Sequence, residues 1–215
     1  MKRMSALLVP WIAAVLLPGA GWAITEGQID DFQDGTTMGW KDGVNSPNQP
    51  TNEANGGPQG AGDRFLRNAS DGSAGAGGKM VQFNNTTWTG DWNAANVAGV
   101  RMYLNNLGTN AMDIRIALLS GSTWFVSQTP FALPPASGWQ HADFDTGDMT
   151  RVSGTLDLAA VLGDVDAFRI LHSSTADFSG DAIAAVLGVD NVTALAEVPV
   201  EETTWGAIKI RPLPF

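Results

Sequence analysis

The sequence predicts an all-β fold, an antiparallel β-sandwich or jelly roll with one short helix, and three observations carry that reading. Short segments of alternating apolar and polar residues recur at intervals of about 8–15 residues. Turn formers separate them, with 25 Gly and 11 Pro in 215 residues. Two short apolar segments bearing carboxylates bracket the region. The first is Ile29-Asp30-Asp31-Phe32-Gln33-Asp34-Gly35, followed by Gly39-Trp40, and the last is Val186-Leu187-Gly188-Val189-Asp190-Asn191-Val192. First and last strands of a closed sandwich commonly lie side by side, so the two acidic clusters are expected to meet.

Along the chain, Asp42 to Gly62 is rich in Asn, Pro, Gly and Gln and reads as a long surface loop. Arg64–Arg67 and Lys79–Asn84 are expected strands around the glycine-rich turn Asp71–Gly78. Thr87–Ala98 forms a second loop holding Trp88, Asp91 and Trp92. Val100–Asn105 alternates with Val100, Met102 and Leu104 on one face, and Met112–Leu119 alternates likewise. Asn105–Ala111 between them has the length of a hairpin connection. Thr123–Gln128 and Trp139–Phe144 follow as strands, separated by Pro130, Pro134, Pro135 and Gly138. Leu156–Leu162 is the helix candidate, capped by Thr155 and stopped by Gly163. Ala167–His172 and Val186–Leu195 complete the set.

Three segments divide the chain. Residues 1–23 read as a signal peptide: Lys2 and Arg3, an apolar run from Ala6 to Leu17, and Gly21-Trp22-Ala23 as cleavage site. Residues 24–195 are the sandwich domain. Residues 196–215 change character, with Trp205 to Arg211 as a candidate sorting or docking segment. The expected location is therefore secreted, extracellular or cell-surface, with no membrane insertion after cleavage. Without Lys2 and Arg3, 10 basic residues face 22 acidic ones, a net charge near −12. Such a surface repels nucleic acid and anionic lipid and suits divalent cations and neutral glycans. There is no cysteine, hence no disulfide frame despite export. A bound ion would supply some of the stability that disulfides otherwise give. The chain is expected to be a monomer.

The catalytic inventory is thin. His141 and His172 show no zinc-ligand spacing, and no Gly-x-Ser-x-Gly, Walker or Rossmann motif occurs. Asp143, Asp145 and Asp148 form the one acidic cluster available for general acid–base work, as a polysaccharide-active enzyme would need. Turn aspartates are commonplace. Two constellations remain. Asp31, Asp34 and Asp190 are the candidate ligands of a structural calcium, a cation that takes six to eight oxygens. Trp88, Asp91, Trp92, Tyr103 and Trp124 are the candidate ligand-binding residues, because flat sugar faces stack on aromatic rings while polar groups bond the hydroxyls. Trp40, by contrast, is expected in the core.

With Asp31-Phe32-Gln33-Asp34-Gly35, Gly39-Trp40 and Gly188-Val189-Asp190-Asn191-Val192 in hand, the chain resembles the calcium-stabilised, galactose-binding-like jelly rolls of bacterial secreted proteins, the carbohydrate-binding modules. That family usually has Glu where Gln33 stands, so this chain has one charge fewer at the ion position. The resemblance implies a non-catalytic module, frequently glycan-binding. The alternative from another class is a structural, surface-associated protein without a small ligand.

Overall fold

The computed structural model describes residues 23–196. The segment expected to be a signal peptide, up to Trp22, and the tail from Glu197 lie outside the described residues. Twelve strands form two six-stranded antiparallel sheets. They are β1 (Ile29–Asp30), β2 (Thr51–Glu53), β3 (Phe65–Asp71), β4 (Val81–Asn84), β5 (Val97–Asn106), β6 (Met112–Ser120), β7 (Thr123–Ser127), β8 (Phe131–Leu133), β9 (Trp139–Asp145), β10 (Met149–Ser153), β11 (Ala167–His172) and β12 (Ala184–Ala196). Sheet I runs β2-β3-β12-β5-β9, with β1 added to β12; sheet II runs β10-β7-β6-β11-β4, with β8 added to β6. No helix among the described residues is long and apolar enough to cross a membrane.

The expected meeting of the two ends takes place. β1 pairs with β12 through Ile29↔Thr193 and Asp30↔Val192. β5 occupies one edge of β12, so β1 and β3 share the other edge. Three expectations need correction. Asn105–Ala111 is not a hairpin, because β5 lies in sheet I and β6 in sheet II; the segment crosses between layers. The helix α1 spans Leu158–Leu162 and is capped by Asp157, not Thr155. A carboxylate accepts the Ala160 N–H at 2.8 Å, while the Thr155 carbonyl accepts from Arg151. Finally, β2, β8 and β10 arise inside segments read as loops; β2 and β8 have three residues each, too few to show a period.

The core between the sheets carries an aromatic cluster at one end. Trp40, Trp88, Trp92 and Phe168 pack with centroids 5.0–6.3 Å apart. In their midst lies the buried carboxylate of Asp30. Its Oδ2 accepts both the Trp40 and the Trp88 indole N–H, each at 2.7 Å. Burial raises the Asp30 pKa, and the indole hydrogen bonds oppose that rise.

Strand β4 reverses the usual polarity. Val81 and Phe83 point away from the inter-sheet core, whereas Gln82 and Asn84 point into it and are buried. The reason lies outside the sandwich: a second, smaller core covers the outer face of sheet II. It consists of Ala117, Trp124, Val126 and Leu171, with Val81, Leu119, Ala176 and Phe178 against it.

Candidate functional site

The residues singled out for sugar stacking separate under the fold. Trp88 and Trp92 have no exposed surface, so neither offers a ring to a ligand. They belong to the cluster around Asp30 and Phe168, where burying large rings stabilises the domain more than a surface platform would. Asp91 is exposed, but its Oδ1 caps a turn by accepting the Ala94 N–H at 2.8 Å. Tyr103 stands on the outer face of sheet I, edge-on to His141 at 5.2 Å. Trp124 faces outward from sheet II, yet it is only 8% exposed. Phe178 stacks parallel to it at 4.8 Å, and the Arg169 guanidinium sits 4.2 Å from its ring centre.

The enzymatic candidates hold structural positions. Arg101 Nε and Nη2 donate to the two oxygens of Asp143 at 2.7 and 3.1 Å, which lowers the Asp143 pKa. The Asp145 carboxylate caps a 3₁₀ turn, and Asp148 accepts the Thr129 N–H. His172 Nδ1 accepts the Asp113 N–H at 2.9 Å, a satisfied strand end.

At the joined ends, Asp190 has Asp63 and Asp31 as charged neighbours. Asp190 lies opposite Tyr103 in register and is fully buried. Burial pushes its pKa up to about 7, and the negative charges of Asp63 and Asp31 push the same way. Asp34 is not among these neighbours. Its oxygens accept the Thr36 N–H and Oγ1–H in an exposed turn at 2.8–3.0 Å. Gln33 bridges the group: its Nε2 donates to the Asp31 carbonyl (3.0 Å), Asp63 Oδ1 (2.8 Å) and the Arg64 carbonyl (3.3 Å). Phe32 and Asn191, the neighbours of these residues, both take left-handed φ, 57° and 50°. Non-glycine residues hold that conformation only where surroundings enforce it. Carboxylate oxygens are hard donors and suit a calcium-like cation in kind. Among the described residues, however, no three acidic or histidine side chains stand together in metal-holding geometry.

Two grooves open on the surface. The larger, about 660 Å³, lies at the end of the sandwich by Asn96, Asp143, Asp145 and Leu195. Its carboxylates are already engaged, as above. The smaller, about 340 Å³, lies on the outer face of sheet II at the β4 edge. Phe83 and Arg169, paired across β4 and β11, form its floor; Asp42, Ser46 and Gly77 form its wall. Here two buried polar atoms have no partner, Asp42 Oδ2 and Arg169 Nε. One accepts and one donates. An unpartnered buried polar atom costs about 1–3 kcal/mol unless something answers it. Burial also lowers the Arg169 pKa, against the favourable charge of Asp42. Lys41 Nζ stands 5.4 Å from the Phe83 ring centre, completing a mixed aromatic and polar rim.

Sequence reasoning missed Asp42, Asp63, Phe83, Arg169 and Phe178. One signal was present: Arg169 interrupts Phe168-Arg169-Ile170-Leu171 as a charge in mid-strand. The others depend on loops folding back over sheets, for which no local pattern exists.

No family model matches the chain, and no curated protein matches it. Solved structures do resemble it. One is the family 11 carbohydrate-binding module from Clostridium thermocellum, in complex with a β-1,3-1,4-mixed-linked tetrasaccharide. The likeness has 16% identity and a TM-score of 0.53, covering 80% of this chain and 96% of that one. An exo-beta-agarase matches with a TM-score of 0.56 and 11% identity, over 83% of this chain and 26% of that chain. The N-terminal tandem of family 22 modules from Paenibacillus barcinonensis Xyn10C matches at 0.50 and 13%, over 85% of this chain and 49% of that chain. At such identities the likeness establishes the fold, a jelly-roll β-sandwich like that of carbohydrate-binding modules.

Proposed function

We propose that this protein is an exported, non-catalytic glycan-binding module whose site is the groove on the outer face of sheet II. The carrying observation is the groove itself, where the Asp42 carboxylate and the Arg169 guanidinium line the same opening as the Phe83 ring. A sugar is complementary to that lining. One hydroxyl donates to the carboxylate, a neighbouring oxygen accepts from the guanidinium, and the C–H face of the ring lies against the aromatic. The fold shared with sugar-binding modules supports the same reading. Export is supported by the N-terminal segment alone.

The test is calorimetric titration of the full chain with mixed-linked β-glucan and agar oligosaccharides, then a wider glycan panel. Asp42→Ala should weaken any binding about tenfold or more, the worth of one charged hydrogen bond. Binding that ignores Asp42→Ala and Phe83→Ala would place the site elsewhere.

A structural calcium is part of the proposal. Asp31, Asp63 and Asp190 would hold it, and the ion would supply the positive charge that these mutually repelling carboxylates lack. Asp63 takes the role first given to Asp34. Calcium that leaves the melting temperature of the full chain unchanged at pH 8 would remove the ion from the proposal.

A further inference from the structure

We infer, on the reading that this groove is the glycan site, that Phe178 plugs the middle of the sheet II face and restricts the module to the end of a sugar chain. The outer face of sheet II would otherwise be a continuous surface from Phe83 on β4 to Trp124 on β7, crossing Arg169 and Ala117. An open surface of that length accepts a polymer lying across it. Here the segment after β11 folds back and fills the centre. Phe178 lies on Trp124 with its ring plane within 5° and its centroid 4.8 Å away, the stacking position that a ligand ring would take on this indole.

The segment is firmly seated. Arg169 Nη1 donates to the Phe178 carbonyl at 2.9 Å, and Arg115 Nε donates to the Ser173 carbonyl at 2.9 Å. The Asp177 and Asp181 carboxylates accept from Ser179 and Ser174 respectively, which fixes the turns on either side. Gly180, at φ 70°, rests its backbone on the sheet. A Cβ there would meet Val81 Cγ2 at 2.8 Å and the His172 carbonyl at 3.1 Å. Only glycine permits both that approach and that φ. Ala117, Val126 and Leu171 are consequently buried although they point away from the sandwich.

What stays open is the 340 Å³ groove, closed towards the sheet centre by Ser179 and Arg169. This volume lies near the lower limit of about 300–1,000 Å³ typical of small-molecule sites. The geometry admits one or two terminal sugar units with the rest of the chain leading outward over the β4 edge. Phe178 is thus a specificity-determining residue. It sets where on a glycan the module binds, while Asp42, Arg169 and Phe83 set whether it binds.

The experiment is a length series of mixed-linked β-glucan and of agar oligosaccharides, from disaccharide to polymer, titrated into the full chain. The wild type should saturate at one module per sugar chain at every length, with affinity level beyond the disaccharide or trisaccharide. Phe178→Ala, its fold checked by near-ultraviolet circular dichroism, should saturate long chains with several modules each. Wild-type stoichiometry that grows with chain length overturns the inference, and loss of that binding in Asp42→Ala would show the groove reading intact. Binding of no member of either series or of the wider panel overturns both. The wild-type series decides the matter even if Phe178→Ala fails to fold.

Discussion

The two sheets share one core but present opposite outer faces. The face of sheet I mixes charge with rings: Arg101 with Asp143, Tyr103 with His141, Phe65 edge-on to Trp139 over Gly188, and the buried Asp190 beside Asp63 and Asp31. That of sheet II is apolar and aromatic, with Trp124, Val126 and Leu171 under a loop of the same chain. The difference teaches where each kind of chemistry is affordable. Carboxylates gather where strands end and loops can bring oxygens, whereas on sheet II a folded-back loop seals the rings into a second core. The proposed function puts the ion on sheet I and the glycan on sheet II.

The comparison breaks most severely if the shared core fails. Trp88→Ala removes a fully buried ring and one of two donors to the buried Asp30 carboxylate. Such changes cost about 3–5 kcal/mol, to be read from urea unfolding. A cost under about 1 kcal/mol would mean that Trp88 is a surface residue after all, as the sequence suggested.

The carboxylate face is next. Asp190 has a folded-state pKa of about 7 against an ordinary value of 3.8. A raised carboxyl pKa means that the folded state holds the proton more tightly. Its contribution to stability is therefore complete below pH 3.8 and is lost as pH rises through about 7. At about 1.4 kcal/mol per pH unit, the loss is bounded at about 4 kcal/mol. In chelator, the chain should be less stable at pH 8 than at pH 5, and calcium should raise the melting temperature more at pH 8. Equal calcium effects at both values, or greater stability at pH 8 in chelator, would contradict the desolvated carboxylate.

Asp42→Ala sharpens the other side, with about a tenfold loss of glycan affinity and little change in unfolding. The smallest effect is expected from Tyr103→Ala on sheet I, which should leave affinity within about twofold, since surface changes away from a site move energies by about 0.5 kcal/mol or less. A large loss there would transfer the glycan site to the opposite face.

Much of the fold was legible. The alternation in Val100–Asn105 and Met112–Leu119 is local, so the strands around it could be read, and the carboxylate-bearing ends did pair. The helix was found with its cap misplaced by two residues, because Thr155 and Asp157 are both good caps and only packing chooses between them. The residues of the candidate groove were not legible in the sequence. Trp88-Thr89-Gly90-Asp91-Trp92 looks like a sugar loop, since polar neighbours conceal that the loop's rings turn inward.

By itself the sequence determined the all-β class, the strand spacing and the acidic balance. Those follow from chemistry within a few residues of chain. The tertiary structure alone decided which aspartate joins Asp190, which tryptophans are buried, and that Val81 and Phe83 face outward. Each depends on a segment distant in sequence laid against a sheet: the Asp63 loop, the Asp30 carboxylate, the Phe178 turn. Burial is a property of what covers a residue, and what covers it here is rarely its neighbour in the chain.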